Sequence, residues 1–294
     1  MNYHTPVFAS EIVKILCIQP GKIYIDATLG NGGHTIRILK KGGIVYGIDQ
    51  DAHNLNLATR RIKKLKLKNF YPIHANFTQL CQLIKKQVKK PSDIKGIIFD
   101  LGLSINQQTS PSRGFSFNDD QSLDMRLDPA SQAITAEFII NTYPVQELIR
   151  IFALYTQEKF AKPLSLKIIS QRKKSPIKTA RRLSQIIRSY YQQKNIKTKM
   201  DPSTKVFLAL RITVNRELQN LKIVLPQTLS CLPAQSIVAI ISFHSGEDRI
   251  VKQFIKNNQS KLTNLIPKPI KAKHSQIHQN PLARSALLRA FQLI

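Results

Sequence analysis

The hydrophobic and polar positions of the first hundred residues follow two periods in turn. Short apolar runs bounded by turn residues predict buried strands, and longer stretches with apolar residues every three or four positions predict helices. Lys22–Ala27 (KIYIDA) predicts a strand entering a glycine turn, with a helix over His34–Lys41 behind it. Ile44–Asp49 predicts a second strand, followed by a helix over Asp51–Leu67. Phe70–His74 predicts a third, followed by a helix over Thr78–Lys89, and Ile97–Leu101 a fourth. This alternation predicts a parallel sheet with helices on both faces. Far downstream, Ser236–Phe243 (SIVAIISF) predicts a further buried strand with a helix around Glu247–Lys256, and Ser285–Ile294 could supply an edge strand. No internal repeat is visible.

Between these portions the pattern changes. From about Ala133 to Lys199 the apolar positions recur at helical spacing without strand-like alternation. Pro144, Pro163, Pro176 and Pro202 are expected to punctuate this stretch into helices of one to several turns. The expectation is a helical domain inserted after the fourth strand. Residues 1–112 and 200–294 would form one discontinuous α/β domain, and residues 113–199 the insert.

Charge sharpens the picture of the insert. The 294-residue chain carries 45 Lys+Arg against 17 Asp+Glu, a net charge of +28. Coding bias alone could raise that total, since Lys outnumbers Arg by 30 to 15. Placement argues otherwise: Glu158–Lys199 holds 13 Lys/Arg and one acidic residue. Such a concentrated basic excess suits a polyanion, because neutralising phosphates releases counterions.

The remaining composition mostly excludes. An apolar share of 42% with 21% charged residues fits a folded chain rather than wholesale disorder. No apolar run approaches the roughly 18 residues of a membrane span, so no membrane partner is expected. The start, MNYHTPVFASEIV, lacks the basic and apolar blocks of a signal peptide, leaving the cytosol as the expected compartment. Cys17, Cys81 and Cys231 are odd in number and scattered, which argues against a disulfide framework or a thiolate zinc site. His274 and His278 have metal-like spacing without further ligands, so no metal is expected. The sequence leaves a homodimer open.

The strongest local constellation is Asp26-Ala-Thr-Leu-Gly30-Asn-Gly32-Gly33-His34, set between a strand and a helix. Glycines there permit a tight turn and close approach of backbone to a ligand, at the positive end of the following helix. The second strand ends at Asp49, nineteen residues after Gly30, where a cofactor ribose would present its hydroxyls. The loop lacks G-x-G-x-x-G, and Asp26 would repel a pyrophosphate but suit the ammonium of an amino-acid-bearing cofactor. This favours S-adenosylmethionine over a dinucleotide. Phe77 follows the third strand, where it could stack on an adenine or equally belong to the core.

The fourth strand runs into Asp100-Leu-Gly-Leu-Ser104-Ile-Asn106-Gln107, a polar tip at the edge where open α/β sheets bind ligands. Arg113-Gly-Phe115-Ser-Phe117 and Asp124-Met-Arg126-Leu-Asp128-Pro129 follow. Arg and aromatic residues interleaved there suit a splayed base and its phosphates. Arg113 and Asp124 lean towards function, and Phe117 towards a loop anchor. His244, in Ser242-Phe243-His244-Ser245, could orient a substrate or cap the next helix. A Ser–His–Asp hydrolase is disfavoured because no G-x-S-x-G occurs.

Together these blocks resemble the bacterial 16S rRNA (cytosine-N4) methyltransferases over essentially the whole chain. The matching blocks are His4-Thr-Pro-Val, Tyr24-Ile-Asp-Ala-Thr-Leu-Gly-Asn-Gly-Gly-His, Asp100-Leu-Gly-Leu-Ser, Arg113-Gly-Phe-Ser-Phe and Leu123-Asp-Met-Arg-Leu-Asp-Pro. Ile241-Ser-Phe-His-Ser, Glu247-Asp-Arg-Ile-Val-Lys and Asn280-Pro-Leu-Ala-Arg-Ser complete the series. The resemblance implies a class I methyltransferase fold, Rossmann-like, with a seven-stranded sheet and an inserted helical domain. It implies S-adenosyl-L-methionine as cofactor and a cytosine of small-subunit rRNA as substrate. The implied cofactor contacts fall on Gly32, Gly33, His34, Asp49, Phe77, Asp100 and Gln107. Departures lie at Gly246, where the family has an apolar residue, at Thr156 within Tyr155–Ala161, and at Pro233-Ala-Gln235, which lacks the usual glycines.

The expected reaction is methyl transfer to the exocyclic amine of cytosine without a metal. Asp100, Ser104 and Asn106 are expected to hold that amine, with His244 lining the pocket. Arg172, Lys173, Lys174, Arg181 and Arg182 would grip the RNA backbone beside Arg113, Phe115, Asp124 and Arg126. A DNA amino-methyltransferase is disfavoured, because the [DNS]-P-P-[YFW] strand tip such enzymes share is absent at Asp100-Leu-Gly-Leu. An RNA-binding assembly factor with a decayed cofactor site is disfavoured by the intact Asp26, Gly30–His34 and Asp49.

Overall fold

The computed structural model describes residues 6–109, 111–156 and 158–294, so His4, Thr5 and Gln157 of the motif blocks lie outside the described residues. The chain forms two compact units, one running to Ser104 and resuming at Leu218, the other spanning Ile105–Glu217. The division falls after residues 104 and 217, not after 112 and 199 as expected. One reason is the helix Ser203–Asn215, whose Val206, Phe207, Leu210 and Val214 pack into the helical core. Among the described residues no helix is long and apolar enough to cross a membrane.

The first unit is built on a sheet of β1 (Ile23–Asp26), β2 (Ile44–Asp49), β3 (Phe70–His74), β4 (Ile94–Asp100), β5 (Ile237–Ser242), β6 (Leu262–Asn264), β7 (Ile270–Lys271) and β8 (Leu287–Leu293). The order is β3-β2-β1-β4-β5-β8-β6, with β7 pairing β8. The first five pair in parallel, and β8 runs antiparallel to β5, β6 and β7. Side chains alternate between two buried faces, as the pleat requires. Ile23, Ile25, Ile97, Phe99, Val238 and Ile240 share one core with the helices Leu80–Gln87, Glu217–Cys231 and Ser245–Asn257. Tyr24, Val45, Ile98, Ala239 and Ile241 share the other with Ala9–Ile15, Gly33–Lys40 and Ala52–Lys64. Burying each large side chain contributes roughly 1.5–3 kcal/mol.

Three expectations are corrected here. The C-terminal strand is not an edge: β8 lies between β5 and β6, and its buried Arg289 is neutralised by Asp248 at 2.7 Å. The sheet has eight strands rather than seven, because Ile270–Lys271 adds a two-residue rung to β8. β4 starts at Ile94 rather than Ile97, running through Gly96, whose missing Cβ leaves room for Leu16 and the Ile237 carbonyl. The cysteines are free thiols, but Cys81 and Cys231 meet on the Gln227 carbonyl, where burial and the neighbouring Cys81 push the Cys231 thiol up.

The helical unit comprises, beyond the short Ile105–Thr109, the helices Ala136–Thr142, Val145–Ala153, Glu158–Lys174, Ala180–Gln193 and Ser203–Asn215. Thr135 and Thr179 cap two of them through side-chain oxygens that accept from the N–H of Phe138 and Arg182. Pro144 and Pro202 stand just ahead of helices, and Pro176 between two. Pro163 does not end one: it sits inside Glu158–Lys174 near its start, where the missing N–H removes a single bond.

The Arg113–Pro129 loop is fastened from several sides. Gly114 holds φ +73°, and a Cβ there would come within 2.6 Å of the Asp124 nitrogen. The Gly114 N–H donates to Asp119 Oδ2 (2.8 Å), and the Met125 N–H to the Arg113 carbonyl (2.8 Å). Buried Asn215 donates to the Met125 carbonyl and accepts from the Leu127 N–H, each at 2.8 Å. Gly114→Ala is therefore expected to lower stability by about 2–3 kcal/mol through strain and clash. Urea unfolding checks this, and an unchanged midpoint would contradict it.

Candidate active site

Asp49, Asp26 and Asp100 are the last residues of β2, β1 and β4, three neighbouring parallel strands. Parallel pairing carries all three carboxylates to one edge of the sheet. Asp26 is 1% exposed. Its Oδ2 accepts the Thr35 hydroxyl at 2.7 Å, while buried Oδ1 has no hydrogen-bond partner among the described residues. His34, in the first turn of the helix after the glycine loop, is equally buried. Neither of its ring nitrogens has a hydrogen-bond partner among the described residues, and Nε2 lies 3.5 Å from Asp100 Oδ2. Asp100 Oδ1 is also buried without such a partner, although the Asp100 N–H donates to Thr28 Oγ1 at 2.6 Å.

Buried polar atoms are nearly always bonded, so unmatched acceptors gathered at one strand edge suit a ligand that brings donors. Burial pushes the Asp26 carboxyl up, against the neighbouring His34 and the Thr35 hydrogen bond, and nearby Asp100 adds to the rise. Burial likewise carries Asp49 up to about 7, outweighing the hydrogen bonds it accepts from Asp51 and Gly30. A cation-bearing donor placed among these carboxylates would relieve both the burial and the mutual repulsion. Those donors are what an amino-acid-bearing cofactor supplies.

The glycine loop is shaped around Asp49. The Gly30 N–H donates to Asp49 Oδ2 and the Asp51 N–H to Oδ1, both at 2.8 Å. Gly30 and Gly32 hold φ of +50° and +73°, and a Cβ on Gly32 would meet Ala58 at 3.3 Å. A Cβ on Gly33 would meet Pro6 at 3.0 Å. Asp51 starts the next helix by accepting the His53 N–H. Ser104 donates to Asn54 Oδ1 at 3.0 Å, placing the end of the β4 loop against that helix. Phe77 is half-buried and meets Phe99 edge-on at 5.8 Å, so its inner edge belongs to the core.

The whole chain, residues 1–294, matches the MraW methylase family. The chain belongs to that family. It is an enzyme, a methyltransferase. Among curated relatives, a ribosomal RNA small subunit methyltransferase H of Hydrogenobaculum is 41% identical over 294 residues, covering 99% of this chain and 96% of the relative. One of Caldicellulosiruptor saccharolyticus is 35% identical over 314 residues, covering 100% of both. One of Mycoplasma mycoides is 37% identical over 309 residues, covering 98% of both.

Other expected site residues of this MraW methylase stand on other elements. His244 takes the capping alternative that the sequence left open: it is the N-cap of Ser245–Asn257, its Nδ1 accepting the Glu247 N–H at 3.3 Å. Glu247 returns the bond from the Phe243 and His244 N–H groups and lies 3.2 Å from His244 Nε2. This capping box supports the helix start despite Gly246. Asn106 and Gln107 stand on the short helix of the other unit. There Asp124 and Arg126 form a bidentate pair at 2.7–2.8 Å, and Arg113 donates to the Arg126 and Leu127 carbonyls while lying 5.6 Å from the Phe115 ring. These charges fasten their own loop.

Arg172 also turns inward, donating to the Ile140 carbonyl at 2.7 Å, because the end of Ala136–Thr142 needs a donor. Lys173, Lys174, Arg181 and Arg182 are exposed, with Arg181 3.2 Å from Asp120. Thr28, Thr35 and Asn54 position the site and were not expected from sequence. Thr28 and Thr35 flank the glycine loop, and their side-chain partners are set by the strand edge rather than by local pattern.

A pH prediction follows from Asp49. Its folded-state value near 7 exceeds the ordinary 3.8, so the folded protein holds that proton more tightly. The associated stability is present below about pH 4 and lost as pH rises through about 7. Asp49→Asn should therefore gain on the parent between pH 5 and pH 8 in urea unfolding of the cofactor-free protein. An identical gap at both pH values would contradict the assignment.

Proposed function

We propose that the chain methylates the exocyclic N4 amine of a cytosine in 16S rRNA of the small ribosomal subunit, in the cytoplasm. The observation that supports it most is the set of unmatched buried acceptors on Asp26 and Asp100 beside His34, at the carboxyl edge of a sheet belonging to a methyltransferase family. The relatives named as small-subunit rRNA methyltransferases, which match nearly the full chain, support the rRNA substrate.

S-adenosylmethionine, when bound, supplies a methyl group on a positively charged sulfur. Asp26 and Asp100 would accept from its ammonium, Gly30, Gly32, Gly33 and His34 would shape the loop around it, and Asp49 would accept from the ribose. Phe77 would offer its half-buried outer face to the adenine. Asp100 and Ser104 would accept from the cytosine amine, whose lone pair is delocalised into the ring and needs an acceptor to make it nucleophilic. The amine nitrogen would gain the methyl as the methyl–sulfur bond breaks with its electron pair left on sulfur, the amine's proton would leave to solvent, and the role of these side chains is alignment. Asn106 and Gln107 keep the roles the resemblance implies. His244 would stiffen the β5 tip. The base must leave its stack to reach such a site, which suits an unpaired rRNA nucleotide. Exposed Lys173, Lys174, Arg181 and Arg182 would grip its backbone.

The test is transfer of labelled methyl to small subunits, bare 16S rRNA and DNA, followed by nucleoside mass analysis. N4-methylcytidine in the ribosomal RNA is expected. Label in 5-methylcytosine, in adenine or only in DNA would overturn the reading. Asp49→Ala should weaken cofactor binding about tenfold or more, the cost of a lost charged hydrogen bond, and leave RNA affinity nearly unchanged. Calorimetry with each ligand checks both.

A further inference from the structure

The helical unit has a cavity of its own, of about 590 Å³, that no part of the proposed methyl-transfer site uses. Its floor is aromatic. The rings of Phe160 and Tyr191 lie 5.6 Å apart at 45°, Tyr191 buried in the helical core and Phe160 half-buried above it. Its rim is basic: Lys159, Lys197, Lys199 and Lys205 are all exposed around it. Lys159 leans over the floor, its Nζ 5.1 Å from the Phe160 ring centroid.

The charge of this rim is not spent locally. Asp201, the only acid among the described residues lining the cavity, is held by Arg188 at 2.6 Å and by the Ser203 N–H at 2.8 Å. Among the described residues the other ion pairs of the helical unit, Arg126 with Asp124, Arg150 with Glu147, Arg181 with Asp120 and Arg211 with Glu217, involve none of the four lysines. Four like charges around one opening repel each other until a polyanion enters. A volume in this range suits a small ligand or one residue of a polymer. Aromatic faces ringed by cations match a nucleobase between two phosphates, since every base has a face to stack and every linkage a charge. An acidic peptide would satisfy the lysines but bring no planar ring to the half-exposed Phe160. A duplex keeps its bases stacked and could offer only phosphates.

We propose that this cavity holds one unpaired nucleotide of the substrate RNA, its base against Phe160 and Tyr191 and its flanking phosphates on Lys159, Lys197, Lys199 and Lys205. The proposal rests on the reading of the chain as an RNA methyltransferase. It adds a second recognition point, for single-stranded RNA, besides the base that is methylated.

The chain contains no tryptophan, so Phe160→Trp introduces a single fluorescent reporter in the floor. An unstructured RNA oligonucleotide is expected to quench it with the same midpoint as binding followed by anisotropy. A duplex of equal length and inorganic polyphosphate are expected to leave the emission unchanged. In the full chain, K197Q/K199Q/K205Q should weaken oligonucleotide binding about tenfold and flatten its salt dependence by about 2 in log–log slope. Its affinity for S-adenosylmethionine should stay that of the parent. Oligonucleotide binding without quenching, equal quenching by duplex or polyphosphate, or parental affinity in the triple variant would each overturn the proposal. If Phe160→Trp fails to fold by circular dichroism, the triple variant decides alone. Absence of methyl transfer to small-subunit rRNA would instead defeat the function proposed above while leaving the quenching result standing, so the two failures are distinguishable.

Discussion

Placing three carboxylates at the ends of three adjacent parallel strands sets the terms for everything around them. Asp49, Asp26 and Asp100 close β2, β1 and β4, and burial drives the first two towards their protonated forms. A protein folded for stability alone would neutralise such groups with Arg or Lys, as this one does for Asp248 with Arg289. Here the neighbours are the Thr35 hydroxyl, the backbone N–H groups of Gly30 and Asp51 and an imidazole, which hold the carboxylates in place without an ion pair to Lys or Arg. The chain has a net charge of +28, yet this strand edge carries the buried acids Asp26 and Asp49. In the function proposed for this chain, that contrast separates two ligands: a cationic cofactor at the strand tips and a polyanion on exposed lysine and arginine.

The surrounding conformations follow from this arrangement. Gly30 and Gly32 adopt left-handed backbone so that the loop can turn and the Gly30 N–H can reach Asp49. Gly102, past the tip of β4, lies so close to the Phe243 ring that a Cβ would approach it to 2.7 Å. The D-L-G-L-S and I-S-F-H-S blocks are thus two sides of one packing contact. In the helical unit Gly114 plays the corresponding part, bringing the R-G-F and L-D-M-R blocks backbone to backbone. Motifs that read as chemistry in one dimension are partly joints in three.

That distinction explains how far the sequence could be read. Periodicity located β1, β2 and β5 because parallel strands buried on both faces are continuous apolar runs, whereas β3, a largely exposed end strand, was legible from its place in the strand–helix alternation. It missed β6 and β7, which are too short and polar to show a period, and it put β8 at an edge because sheet order is a tertiary property. Asp26, Asp49 and Asp100 could each be picked out at the end of a strand. Their meeting could not, because it depends on the β2-β1-β4 order. Arg172, Asp124 and His244 show the opposite limit. Their residue types suit RNA binding or catalysis, but unpaired carbonyls and N–H groups at helix ends and in the Arg113–Pro129 loop claim them first.

The central claim is that the acidic strand edge exists to receive the cofactor's ammonium. Calorimetric titration of S-adenosylmethionine and its deaminated analogue into the full chain and into Asp26→Asn tests it most directly. The parent should bind the analogue about ten- to hundredfold more weakly, the worth of a charged hydrogen bond, and Asp26→Asn should close most of that gap. Equal affinities on the parent, or an unchanged gap in the variant, would contradict the account.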